Sequence, residues 1–286
     1  MKGRSCVSCG SDMVSGMTPW HFHCLTCGYE ASDLQPTINE GASHNYVDEV
    51  SREIGLKAIR VENFRAILSM LNDAATTQRL MLLDVGAAHG WFLEQAAPQY
   101  CILGIEPDEY IAQQTSKRGL PVRVGYFPTA LKNDEIFDII VFNDVIEHIP
   151  DIDAALSACH SHLNLDGRLV LNLPCSKGLF YRLAVLLYRL GWKSPFERLW
   201  QKDFPSPHVH YFNDENMLKT VTKHGFSIEV KKELPSVSGR GLAARIRLAN
   251  NMGILSFMVQ YFGTLAILPL TKIFHSDIMV LIFRKR

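Results

Sequence analysis

Five short apolar runs constrain the fold of this chain more than any other feature of its sequence. They read RLMLLDVG, CILGIEP, PVRVG, FDIIVFND and GRLVLNLP, and helical stretches separate them. Apolarity that is continuous, rather than alternating, indicates strands that are buried on both faces and lie in a parallel sheet covered by helices. Together with FSIEVKKE and DIMVLIFRKR further along the chain, the pattern predicts a doubly wound α/β fold.

Two Cys-x-x-Cys pairs, each followed by glycine, stand near the amino terminus and are typical of a zinc ribbon. Four thiolates saturate a tetrahedral zinc ion, so we expect a closed, structural site rather than a catalytic one. The expected ligands are Cys6, Cys9, Cys24 and Cys27. His21 and His23 stand beside the second pair and could replace one ligand. We assign residues 1–33 to the ribbon and the polar residues 34–45 to a linker.

Charge and the first residues limit the expected partners and location. The chain has 29 basic and 29 acidic side chains, which argues against a protein that binds nucleic acid through bulk charge. The ribbon has no basic footprint either, so we predict no nucleic-acid partner. The first residues, MKGRSCVSCG, contain no apolar signal-peptide segment, and we therefore expect a cytoplasmic protein.

The turn after the first apolar run has the composition of a nucleotide site. In Asp84-Val-Gly86-Ala-Ala-His-Gly90, Gly86 permits a sharp turn, and Ala88 and Gly90 leave room for a ligand beside the backbone. Glu106 ends the next run, about twenty residues further on, where an acid can accept hydrogen bonds from a ribose. A nicotinamide site prefers G-x-G-x-x-G, whereas Asp84, two residues before the first glycine, suits a cationic ligand.

This turn resembles motif I of the class I S-adenosylmethionine-dependent methyltransferases. Further motifs extend the resemblance over residues 46–233 and the last strand: IEPDEY, FDIIVFNDVIEHIPD, LNLDGRLVLNLP and HVHYFNDENMLKTVTKHGF. The chain is similar to the small-molecule and glycan branch, including the ubiquinone-biosynthesis O-methyltransferases. The resemblance implies a Rossmann-like, seven-stranded sheet with an antiparallel last strand, within a domain of residues 46–286. Ala87 and His89 depart from the G-C-G-x-G that is common in that branch.

The same resemblance implies a binding site for S-adenosylmethionine. The motif I loop would hold its methionine end, the second strand its ribose and the residues after the third strand its adenine, and the fourth strand would line the reaction centre. In that order, the implied residues are Asp84, Gly86, Ala87 and Gly90; Glu106 and Pro107; Tyr126 and Phe127; and Asn143, Asp144 and Val145. A core aromatic is the alternative role of Phe127.

Three histidines, His148, His208 and His210, are candidates for the base that removes a proton from the methyl acceptor. His208 and His210 are two apart on an extended segment and should point the same way, and we expect one of them to be the base. A turn histidine that caps backbone groups is the alternative.

Within DVIEHI, Asp144, Glu147 and His148 would share one face if the segment were helical. This spacing matches a metal-binding triad of the ubiquinone-biosynthesis O-methyltransferases, although those enzymes have Glu at the position of Asp144. A second metal ion is therefore a hypothesis, and a structural role for the Glu-His pair is its alternative.

Two insertions interrupt the pattern of the family. Residues 175–212 include GLFYRLAVLLYRLGW, and residues 234–276 include the stretch 250–271, which has no charged side chain. Residues 177–202 hold six basic groups and one acidic group, whereas residues 236–275 hold four basic groups and no acidic one. The positive charge of this neutral chain is therefore concentrated in its apolar insertions.

A full membrane crossing by the second insertion conflicts with the return of the chain to the sheet. We therefore expect residues 178–200 and 240–272 to form helices that contact an anionic membrane or cover a hydrophobic substrate. A soluble helical cap or a dimer interface is the alternative.

The sequence therefore predicts an S-adenosylmethionine-dependent methyltransferase with a structural zinc ribbon. Its expected acceptor is a hydroxyl on a hydrophobic or lipid-linked small molecule, such as a glycan precursor or a quinone-like ring. One alternative is an RNA methyltransferase that holds its substrate with the ribbon, which would require an electropositive ribbon face. Another is a non-catalytic, membrane-associated module that retains only the cofactor fold.

Overall fold

A computed structural model describes residues 4–39, 46–71, 79–237, 242–243, 246 and 254–286. Three parts of the predicted segments lie outside the described residues: the start of the ribbon, the second half of the linker, and most of residues 238–253 in the second insertion.

Strands and helices alternate along most of the described chain. The strands are β1 (Val14–Ser15), β2 (His21–His23), β3 (Glu30–Ser32), β4 (Met81–Val85), β5 (Cys101–Glu106), β6 (Val122–Val124), β7 (Phe137–Asn143), β8 (Leu163–Pro174), β9 (His210–Tyr211), β10 (Phe226–Leu234) and β11 (Ile278–Lys285). The helices are α1 (Tyr46–Leu71), α2 (Trp91–Ala96), α3 (Glu109–Lys117), α4 (Ile152–His162), α5 (Leu179–Arg189), α6 (Ser194–Leu199), α7 (Asp214–Thr222) and α8 (Ile254–Ile267). Short 3-10 turns lie at Ile146–His148 and Leu270–Lys272.

The central sheet has seven strands in the order β10-β11-β8-β7-β4-β5-β6. Neighbouring strands from β8 to β6 in this order are parallel, whereas β11 is antiparallel to both of its neighbours. The predicted doubly wound, Rossmann-like α/β sheet with an antiparallel last strand is therefore confirmed. The chain proceeds from β4 toward one edge of the sheet and from β7 toward the other, so a topological switch point lies between β4 and β7.

Different helices cover the two faces of the sheet. On one face, Phe64 and Ile67 of α1 pack in an apolar cluster with Val141 of β7. On the other face, Leu156 of α4 and Met217 of α7 belong to a second cluster that includes the next residues of the strands. Burial on both faces explains why the central strands are continuously apolar.

The ribbon packs directly on the α/β body. β3 pairs with β9, with Ala31 opposite His210, so β1, β2, β3 and β9 form one four-stranded sheet. Cys24 and Tyr29 are buried in the same apolar cluster as Phe212 of the body. The ribbon is therefore continuous with the core of the body through both a sheet and an apolar cluster.

Each predicted insertion leaves the sheet and returns close to where it left. The backbone N–H of Ser176 donates to the carbonyl of Phe212 at 2.8 Å, which joins the two ends of the first insertion. The second insertion separates the paired ends of β10 and β11. The two insertions meet where the N–H of Leu179 donates to the carbonyl of His275 at 3.1 Å.

The uncharged stretch of the second insertion contains α8. This helix has 14 residues, whereas a membrane crossing needs about 20. Among the described residues, no helix has the combined length and apolarity that a crossing requires.

Candidate active site

A cavity of about 850 Å³ opens at the carboxyl ends of β4, β5 and β7. The strand-end residues in its lining include Val85, Gly86, Glu106 and Asn143. Doubly wound sheets bind ligands at the carboxyl ends of their strands, beside the topological switch point. Since the cavity lies at that point, between β4 and β7, it is the candidate active site.

Gly86 makes the turn after β4 possible. Its φ of 71° lies in the left-handed region, and a Cβ at this position would lie 2.4 Å from Cγ2 of Val145. The N–H groups of Gly86 and Ala87 both donate to the carbonyl of Ile105, at 2.8 and 2.9 Å. Because β5 and Val145 hold the turn from two sides, any larger residue would displace it.

Glu106 ends β5 with its carboxylate at the cavity. Oε2 accepts a hydrogen bond from the N–H of Ala88 at 2.8 Å, and Oε1 accepts one from the N–H of Asp108 at 2.8 Å. These two donors fix the carboxylate, and each of its oxygens has a second lone pair. The arrangement fits an acid that accepts hydrogen bonds from a ribose diol.

Asp84 is a buried acid beside the cavity rather than part of its lining. Asn143, which does line the cavity, donates from Nδ2 to Asp84 Oδ1 at 3.3 Å. Burial raises the pKa of Asp84 to about 8, although the hydrogen bond from Asn143 opposes this change. The ionised form of Asp84 therefore needs a positive partner, which a cationic ligand would provide.

Most of the residues implied to hold the cofactor line the cavity. They are Gly86, Glu106, Pro107, Tyr126, Phe127, Asn143, Asp144 and Val145, whereas Asp84, Ala87 and Gly90 do not belong to the lining. Gly90 has a φ of 68°, and a Cβ there would lie 2.6 Å from Leu120 and 2.7 Å from Thr115. A side chain at this position would therefore clash with Leu120 and Thr115, which gives a packing reason for the glycine, and its role in holding the cofactor stays a prediction.

Glu147 and His148 form a cluster with His208, a residue of the first insertion. The candidate ligand atoms of these three side chains lie within 4.8 Å of one another, and Glu147 Oε1 is 4.0 Å from Nε2 of each histidine. Glu147 is 1% exposed, and neither of its carboxylate oxygens has a hydrogen-bond partner among the described residues. Burial, reinforced by the nearby Asp144 carboxylate, raises the pKa of Glu147 well above its usual value.

Asp144 does not belong to this cluster, which corrects the predicted triad. The segment after β7 forms one 3-10 turn, Ile146–His148, and Asp144 precedes it with a left-handed φ of 55°. Asp144 Oδ2 instead lies 3.5 Å from Nη2 of Arg60. The predicted triad assumed helical spacing, and this turn does not provide it.

His210 does not belong to the lining of the cavity and both of its ring nitrogens are bonded, which corrects the expectation that it could act as the base. Its ring is 3% exposed, Nε2 donates to the carbonyl of Ile149 at 2.9 Å, and Nδ1 accepts from the hydroxyl of Tyr29. Burial lowers the pKa of His210 to about 4. His208 packs on His148 with ring centroids 4.6 Å apart, and of the three candidate histidines, His148 lines the cavity.

The four cysteines of the ribbon converge. Cys6 Sγ lies 3.5 Å from Cys27 Sγ, Cys9 Sγ lies 3.4 Å from Cys24 Sγ, and all four sulfur atoms lie within 4.8 Å of one another. A tetrahedral zinc ion with bonds of about 2.3 Å would separate its sulfur ligands by about 3.8 Å. The arrangement therefore fits a closed four-thiolate zinc site.

Two segments in which the sequence predicted no site residue complete the cavity. Residues 35–39 of the predicted linker line it, and Asn39 Nδ2 donates to the carbonyl of Pro107 at 2.9 Å. Residues 201–206 of the first insertion line it as well. Both segments are polar connections without a motif, so their role depends on tertiary contacts that no local pattern indicates.

The doubly wound sheet, the glycine turn and the strand-end acid define a class I S-adenosylmethionine-dependent methyltransferase. The sequence profile of the methyltransferase domain family matches residues 58–230 of the chain. The match covers more than half of the chain, which therefore belongs to this family.

One curated relative and two solved structures are similar to this chain. The chain is 31% identical over 132 residues to the ubiquinone biosynthesis O-methyltransferase of Paramagnetospirillum magneticum, and the match covers 43% of this chain and 53% of that protein. The chain thus spans about half the length of that relative. An S-adenosylmethionine-dependent methyltransferase from Thermotoga maritima has a TM-score of 0.54 and 18% identity, covering 85% of this chain and 97% of its own.

The other structure is phosphoethanolamine N-methyltransferase 2 of Haemonchus contortus in complex with phosphomonomethylethanolamine and S-adenosylhomocysteine. Its TM-score is 0.57 and its identity 14%, and the match covers 85% of this chain and 58% of that one. At these identities, both solved structures show a shared fold.

Proposed function

We propose that this methyltransferase transfers a methyl group from S-adenosylmethionine to a hydroxyl of a hydrophobic or lipid-linked small molecule, such as a glycan precursor or a quinone-like ring, at a membrane surface. The observation that carries the proposal is the first insertion. It lines the active-site cavity with residues 201–206 and exposes apolar and basic side chains along residues 182–193. The likeness to a ubiquinone biosynthesis O-methyltransferase supports oxygen as the acceptor atom.

The residues around the cavity fit S-adenosylmethionine. Glu106 offers carboxylate lone pairs to a ribose diol, and Tyr126 and Phe127 offer aromatic surface to an adenine. S-adenosylmethionine supplies a methyl group on a positively charged sulfur, and its transfer requires an acceptor oxygen held in line with the sulfur–carbon bond. Asn143 and His148 stand on the cavity wall, where the amide of Asn143 would orient that oxygen.

Exposed apolar side chains are concentrated on the insertions. They are Leu183, Leu186, Leu190 and Trp192 in the first insertion, and Ile254, Met258, Phe262, Leu270, Ile273 and Phe274 in the second. Arg182 and Arg189 are exposed beside the first group. Burial of one such apolar side chain is worth about 1.5–3 kcal/mol, and a basic residue near an anionic membrane contributes about 1 kcal/mol. Together these terms support docking on an anionic membrane.

We assign a structural zinc ion to the four cysteines of the ribbon. The ion would join the turn at Cys6 and Cys9 to the turn at Cys24 and Cys27, which immediately precedes β3. Because β3 pairs with β9, a fixed ribbon would also position the segment that contains His208. Zinc would therefore support the wall of the cavity without contacting substrate.

An RNA-methylating function would need a basic ribbon face. Arg4 is the single lysine or arginine within residues 4–33. Its guanidinium lies 2.5 Å from Asp33 and over the ring of Phe22, 5.1 Å from the ring centroid. Because this positive charge is paired within the ribbon, the ribbon offers little attraction to RNA, which favours a small-molecule acceptor.

Calorimetric titration with S-adenosylmethionine tests the cofactor assignment. We expect the zinc-replete protein to bind, and we expect Gly86→Val to weaken binding by about fivefold or more, because its side chain would clash with Val145 and displace the turn at a cost of about 1–3 kcal/mol. Gly119→Val is the matched control, since Gly119 also has a positive φ but has open space around its Cβ position. A folded, zinc-replete protein that does not bind would favour a non-catalytic module.

Vesicle co-sedimentation tests the membrane assignment. We expect stronger partitioning onto anionic than onto neutral vesicles, and a loss of at least about tenfold in Leu190→Ser/Trp192→Ser, since both side chains would leave the bilayer. Leu165→Ser is the matched control, because Leu165 is 83% exposed but lies outside the insertions. Equal partitioning onto both vesicle types would exclude electrostatic docking, and no partitioning would favour a soluble cap or a dimer interface.

Transfer of isotope-labelled methyl groups tests the acceptor class. Incubation with a total cell extract should place the label in the organic phase after solvent extraction, and mass spectrometry should locate it on an ether oxygen. Label that stays in the aqueous phase, or in RNA, would contradict the proposed acceptor even if the protein binds S-adenosylmethionine.

A further inference from the structure

We propose that Glu147, His148 and His208 form a binding site for a divalent transition-metal ion, distinct from the ribbon and set against the wall of the active-site cavity. Glu147 Oε1 lies 4.0 Å from Nε2 of each histidine. This distance is too long for a hydrogen bond. Two ligands of one ion with bonds of about 2.1 Å, however, can stand up to about 4.2 Å apart.

The hydrogen bonds of the two histidines direct lone pairs into the cluster. His148 Nδ1 lies 2.9 Å from the carbonyl of Pro207. A carbonyl can only accept, so Nδ1 carries the proton and Nε2 carries the lone pair. His208 Nε2 accepts from the amide of Gln201 at 2.9 Å, so this nitrogen carries a lone pair that the amide occupies, and an ion would take the place of the amide. A backbone carbonyl that fixes the tautomer of a histidine is the usual outer support of a metal ligand.

Glu147 completes a set of three acceptors. Its side chain is 1% exposed, and neither oxygen has a hydrogen-bond partner among the described residues. A cation between the Glu147 carboxylate and the two Nε2 atoms would neutralise the carboxylate and accept both imidazole lone pairs. A buried carboxylate without a donor is costly, so its retention here indicates a positively charged ligand that the protein chain itself does not supply.

The ligand types indicate which ions would bind. Two imidazoles and one carboxylate suit Zn²⁺, Co²⁺ or Fe²⁺, whereas Mg²⁺ prefers oxygen ligands. The helical-spacing triad, which is the predicted set of Asp144, Glu147 and His148, would instead offer two carboxylates and one imidazole. Asp144, however, lies 3.5 Å from Arg60. A ligand set that contains His208 in place of Asp144 therefore favours a different ion from the one that the predicted triad would bind.

The first insertion brings His208 to the cluster through backbone contacts. The N–H of Val209 donates to the carbonyl of Glu147 at 2.9 Å, and the N–H of His208 donates to the carbonyl of Trp200 at 3.0 Å. From the ribbon, Ser32 Oγ donates to the carbonyl of His208 at 2.7 Å. The site therefore joins the sheet, the insertion and the ribbon at one point.

An ion at this position would also serve the methyl transfer; this role rests on the proposed function. His148 and Gln201 both line the cavity, so the ion would lie behind its wall, close to a bound acceptor. From behind the wall, its positive charge would stabilise a negatively charged acceptor oxygen without contacting that oxygen. The hydroxyl would release its proton to water, and the oxygen would form a bond to the methyl carbon as the sulfur–carbon bond breaks and the thioether leaves.

Titration with Co²⁺ tests the site in the absence of cofactor and acceptor. The whole chain is first treated with a weak chelator until one zinc ion per chain remains, held by the ribbon. We expect one Co²⁺ to bind per chain, with visible d–d absorption and no thiolate-to-cobalt charge-transfer band. Absence of Co²⁺ binding, or a charge-transfer band that places the Co²⁺ on the cysteines, would overturn the proposal.

Three variants distinguish the ligand sets. Loss of an outer support of a metal ligand costs 10–100-fold in affinity, so we expect Glu147→Gln and His208→Gln each to weaken Co²⁺ binding by more than about 100-fold. Asp144→Asn is the matched control and should change the affinity by less than about threefold. If Asp144→Asn abolishes binding while His208→Gln does not, the helical-spacing triad is correct and our ligand set is not.

A spectroscopic measurement on the unaltered protein covers the case in which a variant does not fold. Pulsed electron paramagnetic resonance of the Cu²⁺-loaded second site should show coupling to two imidazole nitrogens. Coupling to one imidazole or to none would contradict the assignment of His148 and His208. Because these measurements use neither S-adenosylmethionine nor acceptor, failure of the metal site is distinguishable from failure of the proposed function.

Discussion

The segment from His208 to Tyr211 lies between a ribbon side and a cavity side, and these two regions differ in the hydrogen bonding of their buried polar groups. On the ribbon side, both ring nitrogens of His210 are bonded, to the Tyr29 hydroxyl and to the Ile149 carbonyl. On the cavity side, both oxygens of Glu147 are without a hydrogen-bond partner among the described residues, although the side chain is almost fully buried. Two histidines that are two residues apart in sequence thus belong to opposite kinds of environment.

This difference separates groups that hold the fold from groups that await a ligand. Buried polar groups are normally satisfied, so His210 and Tyr29 are explained by the structure of the protein chain alone. Buried acids with strongly raised pKa values are concentrated at functional sites. Asp84 and Glu147 both meet this description beside the same cavity, and both would be completed by a cation.

Loss of a ribbon ligand should have the largest effect, because it removes the support of the ribbon side. We expect Cys24→Ser to lose bound zinc and to unfold the ribbon, since a structural zinc site contributes about 10–16 kcal/mol and a whole domain is stable by only about 5–15 kcal/mol. Thermal unfolding and zinc content measure the effect. Cys101→Ser is the control, because Cys101 is exposed and outside the cluster, and equal melting temperatures for the two variants would exclude a structural ribbon.

Asp84 should produce the next largest effect, through the pH dependence of stability. Its folded pKa, about 8 because of burial, exceeds its unfolded value, so the folded state binds more protons between these two values. The contribution of Asp84 to the free energy of unfolding should therefore be fully present below about pH 4 and fall as the pH rises toward 8. The fall should be on the order of several kcal/mol, since each pKa unit corresponds to about 1.4 kcal/mol.

Urea unfolding of Asp84→Asn over this pH range measures the contribution of Asp84. Asparagine keeps a similar shape without the charge, so the fall in stability should be reduced and the variant should be more stable than the wild type at pH 8. Asp166→Asn, at an exposed acid, should keep the wild-type profile. Parallel profiles for wild type and Asp84→Asn would show that Asp84 is not a strained buried acid.

Sequence reasoning recovered the fold and the strand-end site for a physical reason. Continuous apolar strands must be buried on both faces, and the carboxyl ends of parallel strands meet at one edge, so the positions of Gly86, Glu106 and Asn143 followed from the strand pattern. The cysteine pairs converged because two short turns can hold only nearby thiolates. These inferences depend on local periodicity or on short spacings.

The remaining parts of the site depend on contacts between distant segments. The roles of His208 and His210 differ because the ribbon, almost two hundred residues away in sequence, supplies Tyr29 as a hydrogen-bond partner of His210. His208 instead packs on His148, on the side of the cavity. The hypothesis that Asp144 shares one helical face with Glu147 and His148 was wrong because a single 3-10 turn replaced the assumed helix. No pattern within either segment could have indicated these arrangements.

A pair of double-mutant cycles should sharpen the contrast between the two regions. In the Tyr29→Phe and His210→Ala cycle, we expect a coupling free energy of about 1–3 kcal/mol, because each partner satisfies the other in the core. In the Glu147→Gln and His208→Gln cycle without metal, we expect a coupling below about 0.5 kcal/mol, since no hydrogen bond joins these groups. Urea unfolding supplies the free energies, and similar couplings in both cycles would remove the distinction.

The smallest expected effect concerns the hydroxyl that joins the two regions. Ser32 lies at the end of β3, and its Oγ donates to the carbonyl of His208 at 2.7 Å in a buried position. Ser32→Ala should lower the free energy of unfolding by about 1 kcal/mol, because it leaves the His208 carbonyl without this donor. Ser69→Ala is the control, since Ser69 Oγ bonds an exposed carbonyl of its own helix. If the ribbon positions His208, Ser32→Ala should also weaken Co²⁺ binding at the site of Glu147, His148 and His208 while leaving zinc bound to the ribbon. Unchanged Co²⁺ affinity would show that this hydrogen bond does not position His208.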